Sequence, residues 1–304
     1  LQPAELAKLA LVIYLAFWLA AKRELVGRWS ITVSFVAVLA LMAGLVIAEP
    51  DLGTAIVVVA IGLSMYFIAG ARIAEFAVLA GLATICVAAV AVVQPYRLAR
   101  LATFLDPWSD QQGAGFQIIQ SIYGLALGGP LGEGLGAGKE KFGFLPAPYT
   151  DSIFAVLGDE LGLLGTLTVV VLFLVIAFKG IRIALSAPDQ TGTLLATGLT
   201  VWLVFQAWVN MAVVAALVPM TGITLPFISY GGSSICVGLV AVGILLNVGR
   251  QAVGHADDRA SVPRPARRRG DGRARQPAAR GGRSAHVDDG GRAAVHRGTT
   301  RSRG

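Results

Sequence analysis

The stretch "LGTAIVVVAIGLSMYFIAGARIAEFAVLAGLATICVAAVAVVQ", residues 52–94, decides the fold. Two apolar runs, 52–70 and 73–94, meet at a tight turn that carries Arg72. Each is about 20 residues long, the length a helix needs to cross the hydrocarbon core of a bilayer. Neither run alternates apolar with polar residues, as a strand of a closed membrane barrel would. Without water to satisfy the backbone, a helix pairs its own N–H and C=O groups. The stretch therefore reads as a helical hairpin through a membrane.

Working outward, five further runs have the same character: 5–22, 31–48, 152–178, 191–218 and 231–249. The expected fold is all-α, a polytopic transmembrane helix bundle with seven spans. Composition agrees, since 55% of the 304 residues are hydrophobic, only 14% are charged, and the mean hydropathy is +0.70. The net charge of +7 is unevenly placed. Residues 250–304 hold fourteen Arg and five acidic residues, a net of +9, whereas residues 1–249 carry a net of −2. The division is thus a membrane-embedded domain, 1–249, and a basic tail, 250–304. The tail is rich in Arg, Gly, Ala and Pro and poor in aromatics, so it is expected to be disordered. A nucleic-acid partner is not supported by a basic balance that belongs to the tail alone. A tail near anionic inner-leaflet lipid would gain about 1 kcal/mol per basic residue.

All three His (255, 286 and 296) lie in the tail, so the membrane part works without imidazole. Cys86 and Cys236 sit inside apolar runs and suggest packing, with no disulfide framework and no metal spacing. The opening "LQPAELAKLALVIYLAFWLA" lacks the basic region and cleavage site of a signal peptide. It reads as the middle of a longer chain.

Orientation follows from Lys and Arg in short loops. Lys22, Arg23, Arg28, Arg72, Lys179 and Arg182 fall on one side by alternate counting, together with the tail. The positive-inside rule makes that side cytoplasmic. The opposite, outer side receives the long segment 95–150 and the connection 218–230. A connection as long as 95–150 is expected to be functional. It contains an amphipathic helical pattern at 113–127, then the Gly-rich "GGPLGEGLGAG" (128–138).

Four groups carry candidate chemistry. Glu5 and Lys8 are three apart, on one helix face, and read equally as an internal ion pair or a substrate-proximal one. Arg97 and Arg100 share a face if the helix of 73–94 continues; guanidinium forks suit phosphate, and snorkelling to headgroups would place them there too. Asp151, in "LPAPYTDSIFAVLGDELG" (145–162), stands at the start of a helix. There it reads either as a cap favoured by the helix dipole or as a proton acceptor, with Asp159 and Glu160 two turns later. In "PMTGITLPFISYGGSS" (219–234), Pro219 and Pro226 break the helix and Gly231–Gly232 suits close helix approach. Ser233 lacks a His partner and a nucleophile elbow.

Five stretches, "QPAELAKLALVIYLA" (2–16), "EPDLGTAIV" (49–57), "RLATFLDPWSDQQGAGFQIIQS" (100–121), "GEGLGAGKEKFGFLPAPYTDSIFAVLGDELGLLG" (132–165) and "PMTGITLPFISYGGSS" (219–234), together resemble the SEDS family (shape, elongation, division and sporulation). These are the FtsW/RodA-type peptidoglycan glycosyltransferases, and the wording is closer to the division-type FtsW branch. The resemblance implies a fold of about ten helices, of which the seven runs are the last seven. It implies polymerisation of lipid II into glycan strands at the outer face of the bacterial cytoplasmic membrane. It assigns Asp151 as catalytic base, with Arg97 and Arg100 as candidate pyrophosphate contacts. Lys139, Lys141, Glu5, Lys8, Gln117 and Gln120 follow as further substrate-binding candidates. The implied partners are lipid II, a class B penicillin-binding protein transpeptidase, other division proteins and membrane lipid. No protein metal site is expected; a divalent cation such as Mg²⁺ would sit on the substrate pyrophosphate. This chain departs from the family pattern at Ala4, Pro148, Tyr149 and Ser152. Competing readings are a lipid II flippase and a non-catalytic division scaffold. A flippase calls for charge along a route through the bilayer centre, and the middles of runs 31–48, 52–70 and 231–249 carry none.

Overall fold

The computed structural model describes residues 2–113, 115–138 and 149–261, with side-chain surroundings given up to Val253. Every regular element among them is helical. The α-helices are α1 (Pro3–Ala21), α2 (Trp29–Ala48), α3 (Leu52–Ile68), α4 (Ile73–Val93), α5 (Pro95–Leu105), α6 (Phe116–Leu127), α7 (Ile153–Ser186), α8 (Gln190–Val214) and α9 (Gly232–Ser261). All but α3, α5 and α6 include stretches long and apolar enough to cross a membrane. At 17 residues, α3 spans about 26 Å, at the short limit for a crossing.

The seven expected runs correspond to α1, α2, α3, α4, α7, α8 and α9, with shifted edges. Lys179 and Arg182 lie inside α7 rather than in a loop, because nothing in "KGIRIALS" breaks a helix before Ala187. The last helix runs on to Ser261 instead of stopping at 249. Arg97 and Arg100 do not extend the helix before them. The chain leaves helical geometry at Gln94 (φ −95°, ψ 123°), and Pro95 starts α5 as a new helix. Gly231–Gly232 does not mark a close helix contact either, since a Cβ at Gly232 would meet nothing within 4 Å.

The bundle inverts the pattern of a water-soluble core. Among the long helices α8 has the lowest mean hydropathy, 1.5, and is the most enclosed, while α4 at 2.7 has no buried residue. In lipid, polar side chains turn inward and the most apolar surface faces out. α8 packs against α7, α3 and α1. Leu11, Leu15, Val58, Ile61, Leu199 and Trp202 fill the space between α1, α3 and α8. Asp51 caps α3 by accepting from Thr54 N at 2.8 Å, and Asp189 caps α8 through Gly192 N.

α7 has 34 residues, about 51 Å of helix against roughly 30 Å of hydrocarbon. It is interrupted at Gly162 (φ 64°, ψ −158°). Two bonds of the helical ladder, 163 to 159 and 164 to 160, are replaced by bonds to the Gly-rich segment. Leu163 N donates to Gly129 O (2.8 Å) and Leu164 N to Pro130 O (3.2 Å); Glu133 N donates to Asp159 O and Gly134 N to Glu160 O, both at 3.0 Å. Each freed group is thereby re-paired. A Cβ at Gly132 would lie 2.1 Å from Glu160 O, and one at Gly162 would lie 2.4 Å from Gly132 N. Within "GGPLGEGLGAG", Gly128 and Gly132 are the glycines that allow backbone-on-backbone contact with α7.

Candidate functional site

The site is built at the end of the bundle where α1, α3, α7 and α9 begin. Its floor is a polar ladder on α8. Gln206 and Asn210, one turn apart and both 1% exposed, point to the same side. Gln206 Oε1 accepts from Lys8 Nζ (2.6 Å) and from Trp202 Nε1 (2.9 Å), while its Nε2 donates to Thr224 O (3.0 Å). Lys8 Nζ also donates to Glu5 Oε1 at 2.8 Å and lies 5.1 Å from the Trp202 ring centroid. The expected Glu5–Lys8 pair therefore exists and is fully enclosed. It bolts α1 to α8 beneath the 219–231 loop.

Asp151 stands above this floor. The expected cap geometry does not occur: Ser152, not Asp151, is the N-cap residue of α7, and no side-chain cap bond is made among the described residues. The Ser152 hydroxyl instead accepts from Gln117 Nε2 of α6 at 3.0 Å. Gln120, one turn further along α6, is half-buried and makes no hydrogen bond among the described residues. The Asp151 carboxylate is half-buried and accepts from Thr150 Oγ1 at 2.6 Å. Its Oδ2 lies 4.0 Å from where a Cβ of Gly222 would be. A carboxylate held this way keeps acceptor capacity for a further hydroxyl.

Beside Gly222, the loop also borders a cavity of about 590 Å³. Leu52, Ile56, Val87, Phe205, Trp208 and Val209 make most of its wall, and Arg97, Arg100 and Thr221 give it a polar corner. Arg97 is 7% exposed; its Nη1 reaches Val90 O, near the C-terminal end of α4, at 3.4 Å, and its Nη2 is buried with no partner among the described residues. Arg100 Nη1 donates to Met220 O at 3.4 Å, with its guanidinium 4.6 Å from the Tyr96 ring centroid. Thr221 Oγ1 is buried and unpartnered too. Buried donors without partners are costly, and a phosphate oxygen would satisfy them. Long apolar walls with one cationic corner suit an amphiphile with an anionic head.

Asp159 is buried and Glu160 half-buried at the break in α7, where Glu160 Oε2 accepts from Gly136 N at 3.1 Å. Lys139 and Lys141 lie outside the described residues. Among the described residues no three His, Cys, Asp or Glu side chains gather to hold a metal ion. Sequence reasoning missed Gln206, Asn210, Ser229 and Thr221. The signal for the first two was present: two amides at i and i+4 in the apolar run "VWLVFQAWVNM" (201–211).

The FtsW/RodA/SpoVE family, described as cell cycle proteins, matches residues 1–253. The chain is 44% identical over 253 residues to stage V sporulation protein E of Bacillus subtilis (strain 168), covering 82% of this chain and 69% of that one. It is 40% identical to the probable peptidoglycan glycosyltransferase FtsW of Geobacter sp. (strain M18), covering 84% and 70%. Among solved structures it resembles a chain of a peptidoglycan synthase complex that coordinates polymerization and crosslinking: TM-score 0.68, 31% identity, 83% and 70% covered. It also resembles the rod shape determining protein RodA of Thermus thermophilus, with TM-score 0.55, 28% identity, and 83% and 66% covered.

Proposed function

The chain belongs to the FtsW/RodA/SpoVE family of peptidoglycan glycosyltransferases, and on that premise we propose how its residues divide the work. Two lipid II molecules react. The sugar hydroxyl of the acceptor attacks the anomeric carbon of the donor, and the bond from that carbon to the diphosphate oxygen breaks. The hydroxyl proton passes to the Asp151 carboxylate, and the bond pair leaves with the undecaprenyl diphosphate. Arg97 and Arg100 stabilise the charge that develops on the leaving group, and the apolar wall of the cavity takes the first part of the prenyl chain. Glu5 and Lys8 hold α1 and α8 in register beneath the loop. Gln117 fixes the start of α7, and Gln120 faces the substrate's sugar or peptide. Where a divalent cation takes part, it rides on the substrate phosphates.

One observation carries this reading: a carboxylate that does not cap its own helix shares a loop, residues 220–222, with a cavity lined by Arg97, whose buried Nη2 lacks a partner among the described residues. We further propose that this end of the bundle faces outward, that the role is in division, and that a class B penicillin-binding protein is the partner. The peptidoglycan synthase complex among the similar structures supports that partnership. The test is polymerisation of labelled lipid II by the full-length enzyme with its transpeptidase. Asp151→Asn is expected to lower the rate by about 10²–10⁴-fold while the complex still forms. Undiminished polymer would return Asp151 to a purely structural role.

A further inference from the structure

The backbone on which Asp151 sits is tied at three successive carbonyls. Tyr149 O accepts from Tyr230 N at 2.7 Å. Thr150 O accepts from the Ser229 hydroxyl. Asp151 O accepts from Asn210 Nδ2 at 2.8 Å. The donors come from two different parts of the chain, the 215–231 loop and α8. The two side-chain ties are doubled. Asn210 Nδ2 also donates to Ile223 O at 2.7 Å, and the Ser229 hydroxyl also accepts from Leu225 N at 2.7 Å. Both side chains are enclosed, at 1% and 3% exposure.

The orientation of the Asn210 amide is settled by its surroundings. Turned over, it would set Oδ1 against two carbonyl oxygens, so the NH₂ must face them. Its Oδ1 is then left buried without a partner. A buried acceptor left unsatisfied is a cost to the fold, accepted here in exchange for joining the Asp151 strand to the cavity loop. The contrast with the carboxylate is sharp: the backbone is held at every residue from 149 to 151, while among the described residues the side chain answers only to Thr150, a residue held by the same clamp.

We infer that Asn210 and Ser229 are positioning residues for glycosyl transfer: they lock the 149–151 backbone onto the 215–231 loop, fixing the Asp151 carboxylate relative to the Arg-lined cavity. Neither touches the reacting atoms. The inference rests on Asp151 being the base. A misplacement of about 1 Å in a catalytic group is enough to lose on the order of 100-fold in rate.

The experiment measures kcat and KM for lipid II polymerisation by the full-length enzyme in complex with its transpeptidase, alongside thermal unfolding. Asn210→Asp keeps the size of the side chain and replaces the NH₂ with an acceptor facing two carbonyls. Ser229→Ala cuts the second tie from a different element, and reads the same clamp if the first variant fails to fold. The expected result is a fall in kcat of about 10- to 100-fold with KM within twofold and the complex intact. Wild-type kcat in both variants overturns the inference. So does a rise in KM that tracks a loss of thermal stability, which is what mere loop packing would give. Asp151→Asn, run in parallel, separates the two readings. If it polymerises normally, the assignment of the base fails and the clamp falls with it. If it is inactive while the clamp variants are normal, the clamp alone fails.

Discussion

Lys8 and Arg97 are both buried cations at the same end of one bundle, and they are treated in opposite ways. Lys8 is wholly enclosed and surrounded by Glu5 Oε1, Gln206 Oε1 and the face of Trp202. Arg97 is nearly as enclosed, yet it has one long bond to a carbonyl and an Nη2 with no partner. A cation whose partners are all internal is a fastening. A cation that has been desolvated and left short of partners is one that an anion would stabilise, because the fold has met the cost of burial without the compensating bonds. The difference is the basis on which Lys8 is read as structural and Arg97 is proposed as an anion contact, without reference to the reaction.

The largest effect should come from breaking the satisfied cluster. Lys8→Met leaves Glu5 buried and alone, and is expected to cost about 3–5 kcal/mol of stability, read by thermal unfolding in detergent; pairing it with Glu5→Leu should recover most of that loss. Arg97→Met is expected to do the reverse. Its unfolding transition should hold or rise, while affinity for a prenyl diphosphate falls by the worth of a charged hydrogen bond, about 1.5–3 kcal/mol, or roughly 10- to 100-fold. If Arg97→Met melts as early as Lys8→Met, the two cations are alike and the comparison collapses. The smallest effect belongs to a control at the far end of the bundle. Asp189→Ala removes the cap of α8 for about 1 kcal/mol, and polymerisation should not change.

The spans were legible because a bilayer demands a length and an apolar composition that few other environments do. The Glu5–Lys8 pair was legible because a spacing of three fixes a shared face. The continuation of the helix of 73–94 through Arg97 and Arg100 was left open, because whether Pro95 ends a helix or kinks it depends on ψ at Gln94, which neighbours alone do not set. The break at Gly162 was hidden inside "LGLLG", since four glycine-loop backbone groups from thirty residues upstream are what make it affordable. Asp151 was visible as a carboxylate at a helix start, and local rules favoured a cap. The bonds that deny it that role come from Asn210 and Ser229, 59 and 79 residues away from the carbonyls they hold. Long-range hydrogen bonds of single side chains leave no periodicity behind them, so the clamp had to be seen in three dimensions.

The interruption at Gly162 divides α7 into a short segment, 153–161, next to Asp151, and a long one, 163–186, exposed over much of its apolar surface. An unbroken rod would carry any tilt of its lower end straight to its upper end. Helices tilt when the hydrophobic thickness around them changes. At this joint the glycine loop holds both sides, taking Leu163 N and Leu164 N of the long segment and Asp159 O and Glu160 O of the short one, so it is a backbone splice through which a tilt of the long segment would have to pass.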